Sequence, residues 1–115
     1  MKLKKQYDCN LVMMNDLIGG KWKLRILWHI MNGDNRFSML EKNIDSITPK
    51  VLMSQLNEME ESGLILKLVL VSTPPKVVVY EINPEYSGIC EIVNNAHSFS
   101  RMYGTKNNID ILTKK

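Results

Sequence analysis

Residues 48–63 read TPKVLMSQLNEMEESG. Thr48 offers a side-chain oxygen to the first orphan N–H groups of a helix, and Pro49 follows at the position where its missing N–H costs nothing. Gly63 supplies the residue type that tolerates the left-handed backbone after a last turn. A helix with defined ends is expected. At ~100° per residue, Leu52, Leu56 and Met59 share one stripe, while Lys50, Ser54 and Asn57 share the opposite one. The segment should bury the first set and display the second.

Upstream, residues 45–48 (DSIT) form a short link to an earlier helix. There Ser38 followed by Glu41 has the spacing of a capping box, and Met39, Leu40 and Ile44 give a short apolar face. Two short helices joined in this way suit a helix-turn-helix, whose second helix lies in the major groove of DNA. Before them, residues 21–32 (KWKLRILWHIMN) carry apolar side chains around too much of the circumference for a surface helix, which predicts a buried hub. Residues 8–18 place Leu11, Met14 and Leu17/Ile18 at helical spacing and stop at Gly19-Gly20.

Downstream, residues 64–71 (LILKLVLV) and 77–83 (VVVYEIN) are rich in β-branched residues and are separated by Ser72-Thr-Pro-Pro-Lys76, which predicts a two-stranded hairpin. Asn83-Pro84-Glu85 repeats the cap-then-proline signal, and a long helix is expected over 85–103. The fold class is thus mainly α with a small β-hairpin (α+β), in one domain over residues 1–104, with 105–115 as a polar tail.

The 115 residues, 44% of them hydrophobic, suffice for one core. The net charge of +3 is unevenly spread. Residues 1–57 hold nine Lys and Arg, from Lys2 to Lys50, against five acids, so the positive field belongs to the amino-terminal half. Cys9 and Cys90 are too few for a disulfide framework, no signal peptide follows the lysine-rich start, and no apolar run approaches the ~20 residues that span a bilayer. A cytoplasmic protein without a membrane partner is expected. His29 lies in the most apolar helix and reads as a packed core residue. With His97 it provides neither the clustered acid, base and nucleophile of an enzyme nor a metal-ligand spacing, so no catalytic residue, metal or cofactor is expected.

The exposed types on the 48–63 helix suit a groove: lysine reaches guanine or phosphate, Asn and Gln pair with adenine, and Ser accepts either partner. Thr48, Pro49, Lys50, Met53, Ser54, Gln55 and Asn57 are therefore candidate reading residues. Glu58, Glu60 and Glu61 at the far end would be repelled by phosphate. A solvated helix face fits the same ridge. Lys76 beside Pro74-Pro75 suits a wing that reaches the DNA backbone or an adjacent minor groove, or an ordinary turn. The last helix is apolar on more than one face, which fits either a partner copy or a core helix packed on one side.

The stretches Asp16-Leu-Ile-Gly-Gly-Lys-Trp22, Arg36-Phe-Ser38, Lys50-Val-Leu52 with Leu56–Ile65, and Pro74-Pro-Lys-Val77 occur in an order that resembles the HxlR-type family of winged helix-turn-helix regulators, which are MarR-related. The resemblance spans about residues 7–100. It implies a winged helix-turn-helix with an additional carboxy-terminal dimerisation helix, and a homodimer that binds pseudo-palindromic double-stranded DNA operators to repress or activate transcription. Arg36, Ser38 and Lys76 would then contact the backbone. Leu11 and Met14 from the first helix, with Ile89, Ile92, Val93, Ala96, Phe99 and Met102 from the last, would form the dimer interface. Cys9 stands where some members carry a cysteine that senses electrophiles or oxidants, although Asn10 replaces the proline that usually follows, and a buried, inert thiol is the alternative. Two further departures are a segment Lys76–Tyr80 one residue longer than the usual strand and a glycine shifted to Gly88. The alternative for the same fold is a protein–protein interaction module that does not bind DNA.

Overall fold

The computed structural model describes residues 3–112, so Lys2 and the tail residues 113–115 lie outside it. The elements run α1 (Asn10–Ile18), α2 (Lys23–Met31), α3 (Phe37–Asn43), α4 (Pro49–Glu61), β1 (Ile65–Val71), β2 (Val77–Ile82), a 3-10 turn (Pro84–Tyr86) and α5 (Ile89–Lys106). Helix α2 is the hub: it packs on α3, β2 and α5, while α4 packs on α3 and β1. Ile26, Leu27 and Ile30 of α2 meet Leu40, Ile44, Leu52, Leu56 and Met59 in one core. The ring of Trp28 stacks on His97 with centroids 4.0 Å apart, which docks α5 against the hub.

The ends of α4 form as its residue types dictate. Thr48 Oγ1 accepts from the Val51 N–H at 3.2 Å, Pro49 is the first helical residue, and Gly63 takes φ +84° just past the helix. Leu52, Leu56 and Met59 are 0% exposed. This helix is held along its whole inner face.

Three local expectations are corrected. Ser38 and Glu41 do not make a capping box: α3 begins at Phe37 with Arg36 as N-cap, and no side chain caps it. Asn35 gives its carbonyl to the Tyr80 N–H at 2.8 Å, and this tie to β2 holds the extended entry just ahead of Arg36. The Asn83-Pro84 signal starts the 3-10 turn instead of the long helix, with Asn83 Oδ1 accepting from the Glu85 N–H. Asn83 is also tied to the end of α4, through its N–H to the Leu64 carbonyl and its Nδ2 to the Gly63 carbonyl, so the chain must turn again before α5 can begin at Ile89.

The third correction concerns the end. Helix α5 continues to Lys106, and the chain then reverses at Asn108, where φ is +57°. The Ile109 N–H bonds the Gly104 carbonyl at 2.8 Å, the bond pattern of a Schellman cap, and it lays Ile109 and Ile111 against Gly104. The start of the expected polar tail is an ordered apolar return.

The strands pair antiparallel from Ile65↔Ile82 to Val71↔Val77, with an irregularity between Val69 and Val71. The surplus residue in the hairpin is thus on β1, at Leu70. The architecture is a winged helix-turn-helix: α3, the turn and α4, flanked by the hairpin, with α5 added at the end.

Candidate nucleic-acid interface

Because the inner face of α4 is fully engaged in the core, its outer face is presented in a fixed orientation. Thr48, Pro49, Lys50, Met53, Ser54 and Asn57 are exposed on it, and Gln55 is half-buried at its edge. The side chains of Lys50, Ser54, Gln55 and Asn57 make no hydrogen bond to any described residue, so their polar groups stand available to an outside partner. Arg36 and Ser38 are exposed at the start of α3, and Lys76 is exposed at the hairpin tip beside the cis Pro74–Pro75 peptide. The sequence-derived reading residues therefore share one surface of α4.

One of the three acids behaves otherwise than expected. Glu58 is not merely a far-end repulsive charge: its Oε1 accepts from Lys23 Nζ at 3.0 Å, with the two side chains 26% and 7% exposed. Lys23 accordingly leaves the positive surface to which its charge would assign it. Burial holds its ammonium below the ordinary lysine value. The pair ties the start of α2 to the last turn of α4, the helix that carries the exposed ridge. Sequence spacing could not show this pair, because its partners lie on separate helices; the only trace was a lysine inside the most apolar helix.

A second buried tie orients α3. His29 is in the core as expected, and its Nδ1 lies 2.8 Å from Asp34 Oδ2, while Asp34 Oδ1 accepts from Asn43 Nδ2 at 3.0 Å. The three residues join the end of α2, the following turn and the end of α3. Arg36 and Ser38 are carried on the segment so held.

Trp22, at the start of α2, carries two cations. Lys21 Nζ is 4.8 Å from the centroid of its indole ring and the Arg25 guanidinium carbon is 5.9 Å from the same point. Arg25 Nη1 also donates to the Asp45 carbonyl at 3.4 Å, in the turn that leads to Thr48.

On the other side of the molecule, α5 has two faces. Ile89 and Val93 are 5% and 3% exposed, which removes them from the expected dimer interface, because they are used in the core beneath α2. Ile92, Phe99 and Met102 remain exposed, Ala96 is half-buried, and Tyr103 extends the exposed set. On α1, Leu11 is exposed and Met14 is half-buried. Cys9 precedes α1 and is exposed, and the backbone N–H groups of Val12 and Leu11 hold its thiol below the ordinary value. Cys90 is partly covered.

The model of the HxlR-like helix-turn-helix family matches residues 17–108, which include every element from α2 to α5. The chain belongs to this family. A relative named as the HTH-type transcriptional regulator YtcD of Bacillus subtilis (strain 168) is 38% identical over 107 residues, covering 88% of this chain and 83% of its own. Among solved structures, the redox regulator HypR in its oxidised form superposes with a TM-score of 0.74 at 29% identity, covering 90% of this chain and 100% of that one. A MarR-family regulator from Enterococcus faecalis V583 shares the fold, with a TM-score of 0.71 at 24% identity over 91% of this chain and 98% of that one. The HxlR-like chain is thus a helix-turn-helix regulator by family. No helix among its described residues is long and apolar enough to cross a membrane.

Proposed function

We propose that the protein is a sequence-specific regulator that binds double-stranded DNA as a homodimer in the cytoplasm. The observation that carries this reading is the exposed ridge of Lys50, Ser54 and Asn57 on a helix whose opposite side is locked in the core. The amino-terminal half of α4 enters the major groove, Thr48 to Asn57 meet base edges and nearby phosphates, and Arg36, Ser38 and Lys76 touch the backbone. Pairing of two copies through α1 and α5 sets the spacing of the half-sites. Selection of bound duplexes from a random pool should return a pseudo-palindrome, with half-sites about 34 Å apart or a multiple of that. Lys50→Ala should weaken binding to the selected duplex, by about 1–3 kcal/mol where the contact is to a base, and leave the thermal midpoint unchanged. Capture of a protein through α4, with no duplex bound even at low salt, would instead establish an interaction module.

The thiol of Cys9 gives this regulator a means of response. It is exposed, the N–H groups of Val12 and Leu11 hold it below the ordinary thiol value, and the likeness to a redox regulator points the same way. Oxidants or small electrophiles should change the affinity of the wild-type protein for its duplex. Cys9→Ser should bind with unchanged affinity and lose that response; a full response in the variant would dismiss Cys9 as the sensor.

A further inference from the structure

We propose that Lys21 and Arg25, carried on the ring of Trp22, form a clamp for a DNA backbone phosphate and so extend the interface from α4 onto the start of α2. This rests on the DNA-binding reading. The two cations lie over one indole ring, at 4.8 and 5.9 Å from its centroid, and neither forms an ion pair among the described residues. Two like charges on one ring, with no ion-pair partner among the described residues, are both favoured by a bound anion. The indole attracts both and holds their stems in place.

Position gives the anion its identity. Arg25 donates to the carbonyl of Asp45, in the turn immediately ahead of the Thr48 cap, so its guanidinium stands where the chain leads into the groove-entering end of α4. Its remaining donors suit a phosphate oxygen, which guanidinium binds with a fork of N–H groups. Lys21 is exposed beside it, and the intervening Lys23 is turned inward to Glu58, so the outward charge at this corner is that of Lys21 and Arg25. Gly20, with φ +94°, makes the turn that leads Lys21 and Trp22 into α2.

A clamp of this kind adds affinity without reading sequence, and salt titration detects it. Duplex affinity is measured against salt concentration for the wild type and for Lys21→Gln/Arg25→Gln, on the selected duplex and on a scrambled one. For each phosphate no longer neutralised, the slope of log K against log salt falls by about 0.9, so a dimer with two altered copies should lose a slope of about 2. The weakening should be equal on both duplexes, whereas Lys50→Ala should act mainly on the selected one. A wild type that binds duplex and a variant that keeps its slope would overturn the clamp alone. A wild type that binds no duplex at low salt would overturn the DNA reading and the clamp with it. Lys21→Gln alone, at an exposed position, serves if the double variant proves less stable; its slope should fall by about 1 to 2, and an unchanged slope counts against the clamp.

Discussion

Phe99→Glu is expected to convert the proposed dimer into folded monomers. Phe99 is 62% exposed on the single chain, so the substitution removes little from the core and should change monomer stability by no more than about 0.5 kcal/mol. In an interface formed by the exposed apolar side chains of α5 the same carboxylate would be taken out of water, at a cost of several kcal/mol. Each 1.4 kcal/mol is tenfold in an equilibrium constant, so the dimerisation constant should weaken by about a hundredfold or more. Sedimentation over a range of concentrations reads the effect, and duplex affinity should fall with it because one copy engages one half-site. A dimer as tight as the wild type would show that the stripe on α5 serves something else. The shape of the chain supports the expectation: its radius of gyration is 15.2 Å, whereas about 13 Å is usual for a compact domain of this length. Apolar helices extended away from the core are what a second copy would cover.

Glu58→Gln is expected to lower stability by about 3 kcal/mol, at the low end of the range for breaking a buried ion pair because Glu58 retains some solvent contact. The amide keeps the shape of the side chain and removes the charge opposite Lys23, so the loss is electrostatic. Calorimetry at a fixed protein concentration should show a midpoint lower by about 10 °C. Lys23→Met/Glu58→Leu should recover most of it, since a packed apolar pair avoids the desolvation that an ion pair must offset. The pH dependence follows from Lys23. Burial lowers its folded pKa, so between that value and the ordinary 10.5 the unfolded chain binds more protons, and stability rises with pH. Loss of the Glu58 charge widens this window downward. The deficit of Glu58→Gln relative to wild type should therefore shrink as pH rises into the alkaline range. A deficit independent of pH would mean that the pair contributes packing alone.

These two sites differ in how far the chain alone foretells them. That some apolar side chains of α5 must face outward follows from an apolar periodicity too broad for one face, which is a local property. The Lys23–Glu58 pair depends on how α2 and α4 lie relative to each other, and its one trace in the sequence is a lysine inside the most apolar helix. The same division runs through α5. Periodicity identified the helix and its apolar residues, yet it could not tell Ile89 and Val93, which are enclosed beneath α2, from Ile92 and Phe99, which face outward. That choice is made by the rotation of the helix about its axis, and the Trp28–His97 stack and the turn at 84–86 decide it.

The helix at residues 48–63 and its two faces were determined by the sequence itself, because caps, proline and a 3.6-residue period act within one segment. The hairpin was likewise local in its β-branched runs and the Pro74-Pro75 break between them. Tertiary structure alone decided which cap signals operate: Ser38 was overruled by the tie of Asn35 to Tyr80, and Asn83 by its bonds to Gly63 and Leu64. It alone turned Lys23 inward and gathered Lys21 and Arg25 on one ring beside the turn into α4. The physical reason is that caps and periods are fixed by neighbours in the chain, whereas burial of a charge and the meeting of cations depend on which helices cross, and where.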